Sequence, residues 1–360
     1  MKKYRIKKLI AASSYNLGLT KLLTKLGGYL VISKRKPFYY VRLKENESFS
    51  ILMYHRVNSN NSLFTIDAVP TFVFERQMEY ISGIFNILSI DEILDRLEQK
   101  RKLPKRCMAI TFDDGYEDNY TNAFPVLRKY KIPATIFLTV GCIENGTALW
   151  FEKVLYAFEK TEKQYLKLPE SENIFYFPNL QEKYKTAVQV LEILKKLSGA
   201  ARLKEISKIY SALCVEEPET QPNQMLNWEQ IQEMVKNGIS IGSHTMTHPI
   251  LSKIHIEEAK REIISSKEII GNRINQPVRL FAYPNGRPSD FNDDIIELLK
   301  KVGYKAAVTT SYGLNSSKDD HYRWKRILTW EHDLHLFALS LSYFLINDEE
   351  SIKRIPLYGI

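Results

Sequence analysis

The fold class predicted is α/β: a distorted barrel of seven or eight βα units, with a helical insertion and a basic N-terminal segment. Three observations predict it. From Ser48 onward, short apolar runs alternate with stretches of helical periodicity, the rhythm of βα units around a parallel sheet. Seven or eight such units in one domain favour a closed barrel over an open sheet. The apolar run Met108-Ala109-Ile110-Thr111-Phe112 also ends abruptly in Asp113, Asp114 and Gly115. In a barrel, reactive groups collect at the C-terminal ends of the strands.

Length and composition set the bounds. A chain of 360 residues with 44% hydrophobic composition can bury one large core or two smaller ones. The formal charge of +9 suggests nucleic acid until it is located: residues 1–44 hold 12 Lys and Arg and no Asp or Glu, leaving 39 basic against 42 acidic residues elsewhere. A body at −3 carries no nucleic-acid signal. Cys107, Cys142 and Cys214 are too few and scattered for a disulfide framework, form no CxxC pair, and read as ordinary buried thiols.

The N-terminal segment, 1–47, opens with lysines and arginine that suit a signal peptide, but the apolar run at 9–12 is too short for its core. No stretch approaches the ~20 apolar residues of a spanning helix. The expectation is a cytoplasmic chain. Tyr15, Leu19, Leu22, Leu23, Leu26 and Leu30 recur at helical spacing around Lys21 and Lys25, which reads as a basic amphipathic helix weakened at Gly27 and Gly28. It packs on the body with its lysines in water, or docks with Lys34-Arg35-Lys36 on the inner, anionic face of the membrane through residues 1–44.

Residues 48–140 and 228–335 form the two parts of the barrel. Strands are expected near 50–54, 87–89, 108–112, 134–140, 239–243, 279–283, 305–309 and 325–329. Helices are expected at 71–84, 91–99, 119–130, 228–237, 256–270 and 291–302. Residues 141–227 break the rhythm, with amphipathic helical patterns at 151–163 and 182–212 and no strand of strong character. They are expected to form a lid or substrate-recognition subdomain, or an interaction surface. Residues 336–360 read as a C-terminal helix and tail.

Under this assignment three strands end in reactive groups: His55 after Ile51-Leu52-Met53-Tyr54, Asp113 and Asp114 after Ile110-Thr111-Phe112, and His244 and His248 after residues 239–243. Carboxylates delivered by a buried strand need a cation, a proton or donors beside them. The plain alternative is an Asp-Asp-Gly surface turn. Two histidines four apart converge on one ion if the residues between them form a turn. With a carboxylate they leave open positions, which suits catalytic zinc, or non-haem iron. Consecutive strand residues face opposite ways, so one Asp can bind metal while its neighbour takes a proton from water. Gly115 allows the sharp turn this needs. Together these groups describe metal-assisted hydrolysis.

The residues resemble the polysaccharide deacetylases with the NodB homology domain, carbohydrate esterase family 4. Thr111-Phe112-Asp113-Asp114-Gly115 is similar to its first motif, His244-Thr245-Met246-Thr247-His248 to its second, and Phe281-Ala282-Tyr283-Pro284-Asn285-Gly286 to its third. The resemblance spans roughly 48–335 without the insertion. It implies a distorted (β/α) barrel, Asp114, His244 and His248 as ligands of a divalent metal (zinc foremost), Asp113 as general base, and hydrolysis of N-acetyl groups from an amino-sugar glycan. The family's acid is the histidine of a Leu-x-x-His motif. Leu52-Met53-Tyr54-His55 supplies it early in the chain, as in the circularly permuted poly-N-acetylglucosamine deacetylase branch. His55 is therefore the implied acid, and His332 and His335 read as structural. Tyr283, Pro284, Asn285, Gly286, Leu52 and Tyr116 are the implied substrate contacts.

Two departures matter. Ala282 stands where many members have an arginine that steadies the base, and Asn285 where they have tyrosine. Arg326 or Arg56 is the candidate replacement cation. The family's oxyanion donor is a backbone N–H, which tolerates Asn285. Trp150, Trp228, Trp324 and Trp330, like Tyr116 and Tyr283, are candidate sugar-stacking surfaces or pack in the core or rim, and Asp118 reads as a groove residue or a helix cap. The rival functions are a catalytically weak glycan-binding protein and a metal-dependent hydrolase of a small non-sugar amide. A glycosidase is disfavoured, since adjacent carboxylates do not straddle a bond. Oligomeric state is not legible.

Overall fold

All of the expected apolar runs form strands. The computed structural model describes residues 48–343 apart from 60, 61, 66, 169–173, 219–224 and 330, together with the antiparallel strand pair Gly28–Val31 and Tyr39–Arg42. Seven strands are parallel and run β1 (Ser48–Tyr54), β2 (Cys107–Phe112), β3 (Thr135–Leu138), β4 (Ser240–Ser243), β5 (Leu280–Ala282), β6 (Ala306–Tyr312) and β7 (Trp324–Leu328). Each pairs with the next, and β7 closes on β1 through Ile327↔Leu52 and Leu328↔Met53. The run expected at 87–89 is a two-residue strand, Asn86–Ile87, which pairs with β2 outside the ring. The barrel therefore has seven staves.

Strand alternation divides the apolar side chains. Phe49, Ile51, Ala109, Phe137, Leu280, Ala282, Val308 and Trp324 form one cluster. Leu52, Tyr54, Met108, Ile110, Phe112, Ile136 and Phe281 belong to another, shared with the surrounding helices. The first fills the barrel and the second seals its outside.

The helices are α1 (Thr71–Ser82), α2 (Ile90–Glu98), α3 (Phe124–Tyr130), α4 (Val140–Asn145), α5 (Trp150–Lys160), α6 (Leu180–Leu194), α7 (Gly199–Leu213), α8 (Trp228–Lys236), α9 (Ile256–Ile274), α10 (Asp293–Val302) and α11 (Leu334–Tyr343). Their starts carry local signals. Ser89 caps α2, Asn227 and Gln230 form a capping box on α8, and Asn292 caps α10. Before α3, a π turn spans Asn119–Ala123, because Pro125 has no N–H to continue an α ladder. Ile90, Ile93 and Leu94 of α2 join the barrel-filling cluster, and Arg279, at the foot of β5, pairs with Asp95 at 2.7 Å. The base of the barrel is thus closed by α2.

The insertion has its own core. Val154, Leu155, Phe158, Ala187, Leu191, Ile206 and Ile209 pack α5, α6 and α7 together. It also contains a small antiparallel ribbon, Tyr165–Lys167 with Ile174–Tyr176, which its sequence did not announce. Most of the amphipathic N-terminal run, 1–27, lies outside the described residues, and residues 28–30 are strand instead of helix, consistent with the break at Gly27 and Gly28. The tail beyond 343 and Trp330 also lie outside them. Among the described residues, no helix is long and apolar enough to cross a membrane. Burial pushes the Cys107 and Cys142 thiols up to about 12, leaving them inert. Cys214 departs from expectation: it ends α7 in a left-handed conformation and is exposed.

Gly242 of β4 lies where an added methyl would strike the Phe137 ring and come within 3.0 Å of the Leu280 carbonyl. Gly242→Ala is expected to cost about 1–3 kcal/mol through overpacking. A lowered denaturant midpoint at constant slope would show it, and an unchanged midpoint would contradict this packing.

Candidate active site

Thr111 and Asp113 share the inward parity of β2, and their partner comes from across the ring. Arg326 of β7 is fully buried and donates from Nε to the Thr309 carbonyl (2.8 Å) and from Nη1 to the Thr111 hydroxyl (3.2 Å). Its Nη1 and Nη2 each reach one Asp113 oxygen at 2.7 Å, a bidentate pair. Burial alone would raise the Asp113 pKa, but the Arg326 charge and hydrogen bonds overcome it and hold the carboxyl well below the usual range. Of the two cations suggested for Asp113, the structure brings Arg326. Arg56 is engaged elsewhere.

Strict alternation would turn Asp114 into the helix layer. Instead its φ of 76°, followed by 87° at Gly115, bends the chain back over the barrel mouth. Asp114 Oδ1 lies 3.6 Å from His244 Nε2 and 3.5 Å from His248 Nε2. Two ligands ~2.1 Å from one ion at a tetrahedral angle would stand ~3.4 Å apart. This oxygen is buried and has no hydrogen-bond partner, and burial raises the Asp114 pKa. A cation would remove that cost. His244 Nδ1 lies 2.8 Å from the Ala282 carbonyl, which only accepts, so Nδ1 carries the proton and Nε2 offers its lone pair. Burial and neighbouring His244 depress the His248 pKa, leaving a neutral imidazole. The donor set fits a divalent ion.

The turn between the histidines is held throughout its length. Its Thr245 and Met246 carbonyls accept from Val140 and Gly141 at 3.1 and 2.8 Å, and His248 N–H donates to Thr245 Oγ1 at 3.1 Å. Gly141 has no room for a side chain, since an added Cβ would sit 2.6 Å from the Met246 carbonyl.

His55 follows β1 at the same rim and is partly exposed. Its Nε2 lies 4.0 Å from Asp113 Oδ2 and its Nδ1 4.0 Å from Asp67 Oδ2. Asp67, missed in the sequence, sits in an irregular segment with φ 53°. Behind His55, Arg56 donates from Nε to Asp118 (2.9 Å) and from Nη1 to Glu152 (3.4 Å) and lies over the Tyr116 ring. Burial pushes the Glu152 carboxyl up to about 8 despite Arg56. Asp118 accepts from Val57 N–H and from Asn58, so it is a buried acceptor in this network and caps no helix.

Helix α5 of the insertion also touches the site: Trp150 Nε1 donates to the His248 carbonyl at 3.2 Å, and the Phe151 ring lies edge-on to His248 at 5.5 Å. The amphipathic pattern marked a helix there but not this contact.

Several of the implied substrate contacts have buried side chains with partners inside the protein. Leu52 is fully buried on the outward parity of β1, among helix-facing side chains. Tyr283 is buried, stacks on Phe291 and donates to the Tyr322 carbonyl. Tyr116 is buried beneath Arg56. Trp150 and Trp324 are buried, while Trp228 is partly buried and donates to Glu144. Pro284, Asn285 and Gly286 follow β5 at the rim, with φ 58° at Asn285 and 62° at Gly286. His332 Nε2 donates to the Ala68 carbonyl.

Seven parallel strands closed by helices, with such a rim, are the build of the NodB (β/α)7 barrel. Residues 100–307 match the family of polysaccharide deacetylases, and the chain belongs to that family. YxkH of Bacillus subtilis (strain 168), named for the polysaccharide deacetylases, is 27% identical over 289 residues, 80% of this chain and 74% of its own. The poly-beta-1,6-N-acetyl-D-glucosamine N-deacetylase of Staphylococcus aureus (strain MRSA252) is 34% identical over 152 residues, 39% of this chain and 51% of that one. The solved Streptococcus pyogenes deacetylase PplD, in complex with acetate, shares the fold at TM-score 0.57 and 21% identity, over 82% of this chain and 98% of that one.

Arg326→Met would leave Asp113 buried without its counter-charge and is expected to cost about 3–5 kcal/mol. Adding Asp113→Asn should recover part of that loss in a double-mutant cycle. The Asp113 pKa is depressed on folding, so its contribution is complete above the unfolded value of about 3.9 and is lost as pH falls toward the folded value. The stability advantage of the wild type over Asp113→Asn should narrow below about pH 4. A constant advantage down to acid unfolding would contradict the pairing.

Proposed function

We propose that this chain hydrolyses N-acetyl groups of an amino-sugar glycan or glycan precursor, releasing acetate, with a divalent ion held by Asp114, His244 and His248. One observation carries the reading: two adjacent carboxylates sit in opposite electrical environments. Asp113 is ionised against Arg326, while Asp114 turns an unpartnered oxygen toward two imidazole nitrogens.

A bound divalent ion, zinc foremost, supplies Lewis acidity for the acetyl carbonyl and lowers the pKa of water. Asp113 accepts the proton of the attacking water at its carboxylate, and Arg326 keeps that carboxylate ionised and aimed. His55 gives a proton from Nε2 to the leaving nitrogen, because an amide anion is too poor a leaving group. Asp67 Oδ2 faces Nδ1 of the same ring at 4.0 Å. The backbone N–H of Asn285 takes the oxyanion, as the family resemblance implies. Helix α5 and the rest of the insertion form a substrate-recognition wall beside His248.

Ala282 and Asn285 are the support for a catalytically weak binding protein, and Arg326 beside Asp113 weakens the first of them. The early position of His55 supports the permuted poly-N-acetylglucosamine branch, and the Staphylococcus aureus relative supports a poly-N-acetylglucosamine-like substrate. The basic segment 1–44 is proposed to place the enzyme on anionic lipid, where a lipid-linked glycan would meet it.

Asp114→Ala and His244→Ala should abolish metal-dependent acetate release. Asp113→Asn should keep the metal and lose roughly 10²–10⁴-fold in turnover, as should His55→Ala. Full turnover in either ligand variant would sink the assignment. Deletion of residues 1–44 should abolish sedimentation with vesicles containing phosphatidylserine, and unchanged sedimentation would remove the membrane proposal.

A further inference from the structure

Beyond the atoms that meet the ion or the substrate, the second motif has an anchor of its own. Glu262, on α9, directs both carboxylate oxygens at the turn between the histidines. Oε2 accepts from the backbone N–H groups of Met246 (2.8 Å) and Thr247 (2.9 Å), and Oε1 accepts from the Thr247 hydroxyl (2.7 Å). The carbonyl side of the same turn is tied to Val140 and Gly141. Thr245 N–H is satisfied by Ser243 Oγ and His248 N–H by Thr245 Oγ1. The N–H groups of Met246 and Thr247 are therefore the part of the turn that depends on one distant side chain.

We propose that Glu262 is a positioning residue for metal binding. It fixes the 245–247 turn so that His244 and His248 present their Nε2 atoms to one point beside Asp114. This rests on the reading of those three residues as metal ligands. A three-residue turn with left-handed geometry at its first residue, Thr245 (φ 69°), and at His248 just after it (φ 57°) would not hold by local preference alone. Without the carboxylate, water would take the two N–H groups and the histidines would lose their common focus, and a loosening of ~1 Å is enough to spoil a site. The role is geometric, so an amide oxygen in the same place should serve almost as well.

The test is zinc affinity of the full-length chain, by competition with a chromophoric chelator at fixed pH. Glu262→Ala is expected to bind zinc about 10- to 100-fold more weakly, with the zinc-free protein retaining its wild-type circular dichroism. Glu262→Gln should recover most of the loss. Wild-type affinity in Glu262→Ala would overturn the proposal. So would Glu262→Gln binding as weakly as Glu262→Ala, which would assign the effect to charge. If Glu262→Ala does not fold, Thr247→Val, which removes only the Oε1 contact, should bind zinc more weakly than the wild type, and unchanged affinity would overturn the proposal. A wild-type chain that binds no zinc would remove the metal reading and this proposal with it. Zinc binding by the wild type with no effect of Glu262→Ala would remove this proposal alone.

Discussion

A carboxylate and a guanidinium, both out of water inside the barrel, set the terms for the rest of this molecule. Asp113 and Arg326 are 213 residues apart and meet only because β7 closes on β1 beside β2. Each would be costly alone, and together with the Thr111 hydroxyl and the Thr309 carbonyl they form a satisfied network. The pair ties closure of the ring to the ionisation of the proposed base. It also fixes the division of labour at the rim: Asp113 is committed inward, so Asp114 is the carboxylate that turns toward the histidines.

The surroundings repeat this logic at smaller scale. The proposed ligands sit on segments with unusual backbone, and each segment is held by contacts from elsewhere in the chain. α4 receives the carbonyls of the histidine turn, Glu262 receives its N–H groups, and Trp150 of the insertion reaches the His248 carbonyl. On the other side, Glu152 and Asp118 hold Arg56, the residue after His55. The insertion therefore has its own core and still contributes to both halves of the site.

The sequence made the strand ends legible, because an apolar run that stops at Asp-Asp-Gly or at His-x-x-x-His carries both the burial and the chemistry. Partnerships across the ring were less legible. Arg326 was one of two candidates, since choosing between it and Arg56 requires knowing which strand closes the barrel. Asp67 and Glu262 gave no signal: one lies in irregular chain, and the other looks like any acid on a helix. The surroundings of Leu52 and Tyr283 were not legible either, because a motif carries positions without side-chain parity. Leu52 falls on the outward face of β1, and Tyr283 spends its hydroxyl on the Tyr322 carbonyl.

The most direct measurement of the central claim is acetate release from N-acetylglucosamine oligomers by the intact chain, before chelation, after removal of divalent ions, and after zinc is returned. The account predicts release that disappears on chelation and returns with zinc in stoichiometric amount. Release at an undiminished rate after exhaustive chelation would contradict it.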